Sequence, residues 1–302
     1  MHDQAQALRE LVHARGAAEG APVKPGDGPG TPSETQTARV VTVTSGKGGV
    51  GKSNFSLNFA IALRNRGHRV LVFDADIGLA NIDVLLGTPA RYNLVHLLRK
   101  EKTIWDIVQE GPGGLRFIAG GSGFHDLLRL NEEELEYFVT EVAKLHEHFD
   151  FVLFDTGAGL SRETVRFIAA ADETIVVTTP EPTAVTDAYA LVKMVNAMGH
   201  RPSFRLVINR VSDEREGRQT ADHFRQVAAR FLGLDIPPLG YVPDDHHVSR
   251  AVKRQTPLLH AFPHCPAAWS IDRIAATFLM ERKQTAPSGI RGFLQRMKRL
   301  WG

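Results

Sequence analysis

The residues Gly46-Lys47-Gly48-Gly49-Val50-Gly51-Lys52-Ser53 match the pattern G-x-x-x-x-G-K-[ST] at every fixed position. They follow the β-branched run VVTVTS and precede a helix-forming run, the context in which this pattern binds a nucleoside triphosphate. Glycines let successive backbone N–H groups turn inward around phosphate oxygens, and the positive end of the following helix adds to the attraction. Lys52 would meet the β- and γ-phosphates, the Ser53 hydroxyl would hold Mg²⁺, and Asn54 adjoins them.

Carboxylates recur at the ends of two further apolar runs. VLVFDADIGLANID places Asp74 and Asp76 at a strand's carboxyl end, where parallel sheets build their ligand sites. FVLFDTGAG places Asp155 after four apolar residues and ahead of Gly157 and Gly159, the order of strand, acid and glycine that a phosphate-sensing segment needs. A third run ends in Asn209-Arg210-Val211-Ser212 and a fourth in Pro243-Asp244-Asp245.

With its early lysine, KGGVGKS resembles the deviant Walker A group, to which the MinD/ParA ATPases, the nitrogenase iron protein and the arsenite-pump ATPases belong. The resemblance covers about residues 39–280 and implies roles for the residues above. Lys47 would reach the phosphates of a partner's ATP across a nucleotide-sandwiched homodimer, Asp76 would orient the attacking water, and Asp155 would hold a Mg²⁺-bound water. Gly157 or Gly159 would sense the γ-phosphate. Lys47, Asp76 and Asp155 are thus the expected catalytic residues, and Ser53, Asp76 and Asp155 the expected Mg²⁺ ligands. Guanine-specific relatives carry an NKxD element; Ser212 stands where its acid would, so ATP is expected, with Asn209, Arg210, Pro243, Asp244 and Asp245 around the base. One cysteine, Cys265, cannot supply an iron protein's share of a cluster, and no second phosphate loop marks a tandem pump ATPase. His260, His264 and Cys265 do not have helical ligand spacing, and no metal is expected there.

The elements that must position these residues are visible as alternation. Short apolar runs alternate with amphipathic stretches: VVTVTS, 52–66, RVLVFDAD, 93–109, LRFIAGG, 132–147, FDFVLFDT, 161–171, ETIVVTTP, 183–198, SFRLVINRV, 219–232 and PPLGYVP. Strands apolar on both faces and separated by helices predict a three-layer α/β fold, a mostly parallel twisted sheet with helices on both faces. With 43% hydrophobic and 23% charged residues the 302-residue chain is not a disordered one. The Gly/Pro-rich segment 16–38 reads as a flexible linker, 39–284 as the ATPase domain, and 285–302 as a separate tail. No apolar run is long enough to span a bilayer, the N-terminus lacks signal-peptide order, and the single cysteine fits a reducing cytoplasm.

Residues 287–302 carry Arg291, Arg296, Lys298 and Arg299 and no acid, so the rest of the chain is net −2. Ile290, Phe293, Leu294, Met297, Leu300 and Trp301 fall on one stripe of a helix beside these charges, which predicts a helix resting on an anionic membrane surface, peripheral to the inner face of the cell membrane. Plasmid-partition relatives need no such tail, and DNA is not an expected partner. At the other end, Asp3-Gln4-Ala5-Gln6-Ala7-Leu8-Arg9 matches DQAxxLR, which resembles the N-terminal activating element of the FlhG/FleN family of flagellar-number regulators. That resemblance implies that Asp3, Gln4, Ala5, Leu8 and Arg9 dock on an FlhF-like signal-recognition-type GTPase. It further implies contact with flagellar switch (C-ring) proteins or a flagellar transcription regulator. The expected function is an ATP-hydrolysing, membrane-associated switch governing the number or placement of polar flagella. Division-site placement of the MinD kind and a non-catalytic anti-activator are the alternatives.

Gln4 has an amide that both donates to and accepts from a water, the chemistry of a residue that positions a nucleophile in another protein's site. A peptide of residues 1–20 should stimulate GTP hydrolysis by an FlhF-like GTPase, and Gln4→Ala should abolish the stimulation while leaving this chain's own ATPase unchanged. Equal stimulation by both peptides would remove the role.

Overall fold

The computed structural model describes residues 37–76, 81–120, 132–199, 202–281 and 288–301. Asp3, Gln4, Ala5, Leu8 and Arg9 lie outside them. In chain order come β1 (Arg39–Ser45), α1 (Lys52–Arg64), β2 (Val70–Ala75), α2 (Ile82–Leu86), α3 (Leu94–Leu98), α4 (Ile104–Ile107), β3 (Gln109–Glu110), β4 (Arg116–Ile118) and α5 (Glu132–Ala143). They continue with β5 (Phe151–Ala158), α6 (Arg162–Ala170), β6 (Glu173–Thr178), α7 (Pro182–Ala197), β7 (Ser203–Val211) and α8 (Glu214–Leu232). Then follow β8 (Pro238–Pro243), α9 (His246–Lys253), α10 (Leu258–Ala261), α11 (Pro266–Met280) and α12 (Gly289–Trp301).

Among the described residues the strands form one sheet in the order β3-β4-β2-β5-β1-β6-β7-β8, parallel except where β3 meets β4. Every residue of β1 is buried, as a central parallel strand covered on both faces requires. Alternation then divides the core. Val41, Val43, Phe151 and Leu153 face α1 and α11, where Phe59 meets Phe278 edge to face at 5.2 Å. Val40, Val152 and Phe154 face the opposite layer of α5, α6 and α12. In register, Asp74 of β2 lies beside Asp155 of β5, and Asp155 beside Val43 of β1, so the three strands deliver their acids and the glycine loop to one end of the sheet.

Two expected elements differ. The 93–109 stretch is two short helices because Asn93 and Thr103 each close a capping box and Lys100 takes a left-handed φ of 59° between them. Helix α8 begins five residues before the expected 219, because the Asp213 carboxylate accepts the Glu216 N–H and caps it there.

The tail departs most from expectation. Instead of standing free for a membrane, Ile290, Phe293, Leu294 and Met297 are at most 6% exposed and belong to the core cluster beneath α12. Phe293 stacks on Phe154 at 4.7 Å, Leu300 packs partly against the cluster, and Trp301 ends the helix. One carboxylate, Asp172, accepts from Ser288 N at 3.1 Å and from Arg296 Nη2 at 3.1 Å, holding the helix at its start and in its second turn. The physical reason is simple: a stripe of large apolar side chains in water is costly, and a groove of the same chemistry lies within the chain. Ala38, expected at the linker's end, is also buried there. Arg291, Lys298 and Arg299 remain exposed.

Truncating Phe293 removes the central anchor, and Phe→Ala in a core costs about 3–5 kcal/mol. Phe293→Ala should therefore free α12 while the sheet persists. Hydrogen exchange should show residues 290–300 losing protection with β1 and β5 unchanged; unchanged protection of α12 would contradict the assignment of Phe293 as the anchor.

Candidate nucleotide-binding site

The loop after β1 is shaped by its glycines. A Cβ on Gly46 would lie 2.1 Å from the Asp187 carbonyl carbon of α7, and Gly51 has a φ of 89° with Asn209 Nδ2 only 2.4 Å from where its Cβ would be. Asn209 itself donates from Nδ2 to Val50 O at 2.7 Å, so β7 clamps the loop in place. Gly51 caps α1 with no side-chain hydrogen bond. The helix's first amides are thereby left for an anion, in line with Gly48 and Gly49 facing open space.

Lys52 is 6% exposed, and its ammonium lies 3.0 Å from Asp155 Oδ1 while hydrogen-bonding Ser53 Oγ at 3.0 Å. The same Asp155 oxygen accepts from Ser56 Oγ at 2.5 Å. Asp74, fully buried, accepts backbone N–H groups from Asp76, Asn81 and Ile82 at 3.2, 2.9 and 3.1 Å. It thus ties together both ends of the segment that carries Asp76. Burial, and then the neighbouring charge of Asp155, pushes the Asp74 carboxyl up to about 7. Asp76 is half-buried, and a Cβ on Gly157 would stand 3.4 Å from its Oδ1, so the two acid-bearing segments meet. Gly159, at a φ of 90°, donates its N–H to Ser45 O at 2.9 Å.

Lys47 points elsewhere. Its exposed ammonium hydrogen-bonds Thr183 Oγ1 at 3.0 Å and Glu181 Oε2 at 3.4 Å, both at the start of α7 in its own chain. Past the ends of β6, β7 and β8 lies a cleft of about 360 Å³ lined by Thr179, Pro180, Glu181, Arg210, Glu216 and Asp244. Glu181, Arg210 and Asp244 are thus set around one open cleft. Asp245, expected beside them, instead caps α9 through His247 N and accepts from Ala267 N of α11. Its carboxyl is held down at about 2 by those donors against the opposing effect of burial, so it serves as a fastener between helices. Pro243 ends β8 just before it. Ser56, Glu181 and Glu216 were not singled out from sequence. Ser56 sits four residues past Lys52, one turn along the same helix face, which is the signal that was there to be used.

Strand, glycine loop, buried lysine and strand-end acids define a P-loop nucleotide-binding protein. The chain belongs to the CobQ/CobB/MinD/ParA nucleotide-binding domain family, whose model matches residues 41–258. It is 37% identical over 270 residues to the flagellum site-determining protein YlxH of Helicobacter pylori, covering 87% of this chain and 91% of that one. Over 237 residues it is 36% identical to the antiactivator FleN of Pseudomonas aeruginosa, covering 78% and 85%. Its fold superposes on the septum site-determining protein MinD of Pyrococcus horikoshii, determined with Mg-ADP, at a TM-score of 0.64 and 23% identity over 79% of this chain and 94% of that one.

Asp74 generates a pH dependence with a definite sign. Its folded value, about 7, lies above the unfolded value near 4, so the native state holds a proton that the unfolded state has released. The stabilisation is fully present below about pH 4 and is lost as pH rises through about 7. Lys52 and Asp155 are the charges facing it. In nucleotide-free protein, Asp74→Asn should become progressively more stable relative to wild type between about pH 5 and pH 8. A thermal-midpoint difference that stays constant over that range would rule out the raised carboxyl.

Proposed function

We propose that this chain is an ATP-hydrolysing switch that dimerises around nucleotide and governs flagellar number or placement. The observation that carries the reading is the constellation of Lys52, Ser53 and Asp155 beneath a glycine-shaped loop, with Asp76 beside Gly157. Ser53, Asp76 and Asp155 offer the hard oxygen donors that suit Mg²⁺, which when bound would neutralise charge developing on the phosphates. Lys52 would exchange part of its pairing with Asp155 for phosphate oxygens, and Asp76 would hold the attacking water by accepting its proton in a hydrogen bond. Lys47 would leave Glu181 and Thr183 to meet a partner's nucleotide; their contact is exposed and therefore weak, on the order of 0–1 kcal/mol. Similarity to YlxH and FleN supports the flagellar role, and the N-terminal DQAxxLR match supports activation of an FlhF-like GTPase.

The tail makes membrane contact conditional. Ile290, Phe293, Leu294 and Met297 cannot cover the protein's groove and enter a lipid surface at once, so α12 would undock first. Paired tails in a dimer would then bind with an avidity a single helix lacks. A second reading, an anti-activator in which turnover is incidental, is favoured by the FleN similarity.

Three experiments separate these statements. Asp76→Ala should bind ATP and dimerise without hydrolysing it; normal turnover in that variant would refute the role of Asp76. Lys47→Ala should keep nucleotide affinity yet remain monomeric by light scattering, whereas equal loss of binding with Lys52→Ala would show that Lys47 serves its own subunit. ATP should raise co-sedimentation with anionic liposomes several-fold, and charge reversal at exposed Lys298 and Arg299 should cancel the gain. Sedimentation indifferent to both would remove the membrane step.

A further inference from the structure

The cleft beyond β6–β8 has walls of a definite polarity. Three of its lining residues, Glu181, Glu216 and Asp244, are acids, and the cation Arg210 lies 3.7 Å from Asp244. Glu216 stands in the first turn of α8 and divides its carboxylate between two directions. Oε2 accepts from Ser212 N at 2.7 Å and from Ser212 Oγ at 2.9 Å, while Oε1 has no hydrogen-bond partner among the described residues. Ser212 is the position at which an NKxD element would carry its base-reading acid. The chain thus places a carboxylate at that spot by another route, from four residues further along.

A carboxylate with both oxygens free accepts from two adjacent donors, the pattern of a guanine's N1–H and 2-amino group. With Oε2 committed to Ser212, only one acceptor is left. That matches a single exocyclic amino group, and the acid-rich walls oppose a base presenting a carbonyl oxygen there. Asn209, the other residue that reads guanine in such elements, commits one of its two amide N–H donors to Val50 O. We propose that Glu216 is a base-specificity residue of this site, its Oε1 accepting a hydrogen bond from the 6-amino group of adenine. The proposal rests on the nucleotide-binding reading above and names the group that selects the base.

Glu216→Gln isolates the effect. The amide oxygen can keep both bonds to Ser212, while Nε2 turns a donor toward the cleft in place of an acceptor. Competition against a fluorescent triphosphate, using full-length protein with ATP, ITP and GTP, reads the outcome. Wild type should prefer ATP over ITP by about tenfold, the scale of one hydrogen bond to a charged group. Glu216→Gln should lose that preference or reverse it, with ATP affinity falling about tenfold and ITP affinity holding or rising. An unchanged ATP-to-ITP ratio in the variant overturns the proposal. So does a wild-type protein that prefers ITP or GTP, a measurement that needs no variant to fold. Failure of wild type to bind any of the three triphosphates would instead refute nucleotide binding itself, a result distinguishable from a shift in base preference.

Discussion

The structure depends on keeping charge buried at one end of a parallel sheet. Asp155 is 1% exposed and Asp74 fully buried, side by side in register. A carboxylate removed from water is tolerated only when paired or richly hydrogen-bonded. Asp155 is answered by the ammonium of Lys52 and the hydroxyl of Ser56, whereas Asp74 takes three backbone amides and resists ionisation. These partners come from separate segments, so β1, β2 and β5 must end at one level and Gly51 must start α1 where Lys52 turns inward. Loss of Lys52 leaves the Asp155 charge uncompensated, and loss of the amides leaves the buried Asp74 carboxyl without partners, which is why the glycine loop, the sheet order and the acids form a single requirement.

The same strand that carries the site carries the tail. Along β5, successive side chains point to opposite faces, so Asp155 belongs to the phosphate-binding end while Phe154 stacks beneath Phe293. Helix α6, which follows the glycines after Asp155, contributes Phe167 and the Ala170 carbonyl that accepts from Arg296 Nε at 2.8 Å. The segment after Asp155 thus leads directly from the site into the floor and one wall of the groove that holds α12.

Legibility from sequence tracked how local the determining physics was. The phosphate loop, Asp74 and Asp155 were readable because a strand, a turn and a helix start are specified within a few residues, and the alternation of apolar runs carried the sheet with its two helical layers. Asp245 was misplaced because a helix cap and a base-binding acid have the same local pattern, and only the approach of Ala267 from α11 separates them. Glu216 escaped notice because its position opposite Ser212 depends on where α8 begins. The stripe of Ile290, Phe293, Leu294 and Met297 was correctly seen as amphipathic, but periodicity states that a face is covered and not by what. That answer required the groove, assembled from α5, α6 and β5 more than a hundred residues before the tail.

The tail's position also bears on why a switch of the proposed kind would need a dimer. In the docked form four large side chains are shielded by protein, and Asp172 with the Ala170 carbonyl holds Arg296 as well. A lipid surface offers the same side chains comparable apolar burial, and it offers Arg291, Lys298 and Arg299 anionic partners that the docked form leaves exposed to water. For a single chain the docked state is free of the entropy of capture by a membrane. Pairing two tails changes that balance, because the second helix binds at the effective concentration set by the first. In the proposed switch a monomer would keep its helix and a dimer would surrender it, because one stripe of residues can serve either of two apolar surfaces.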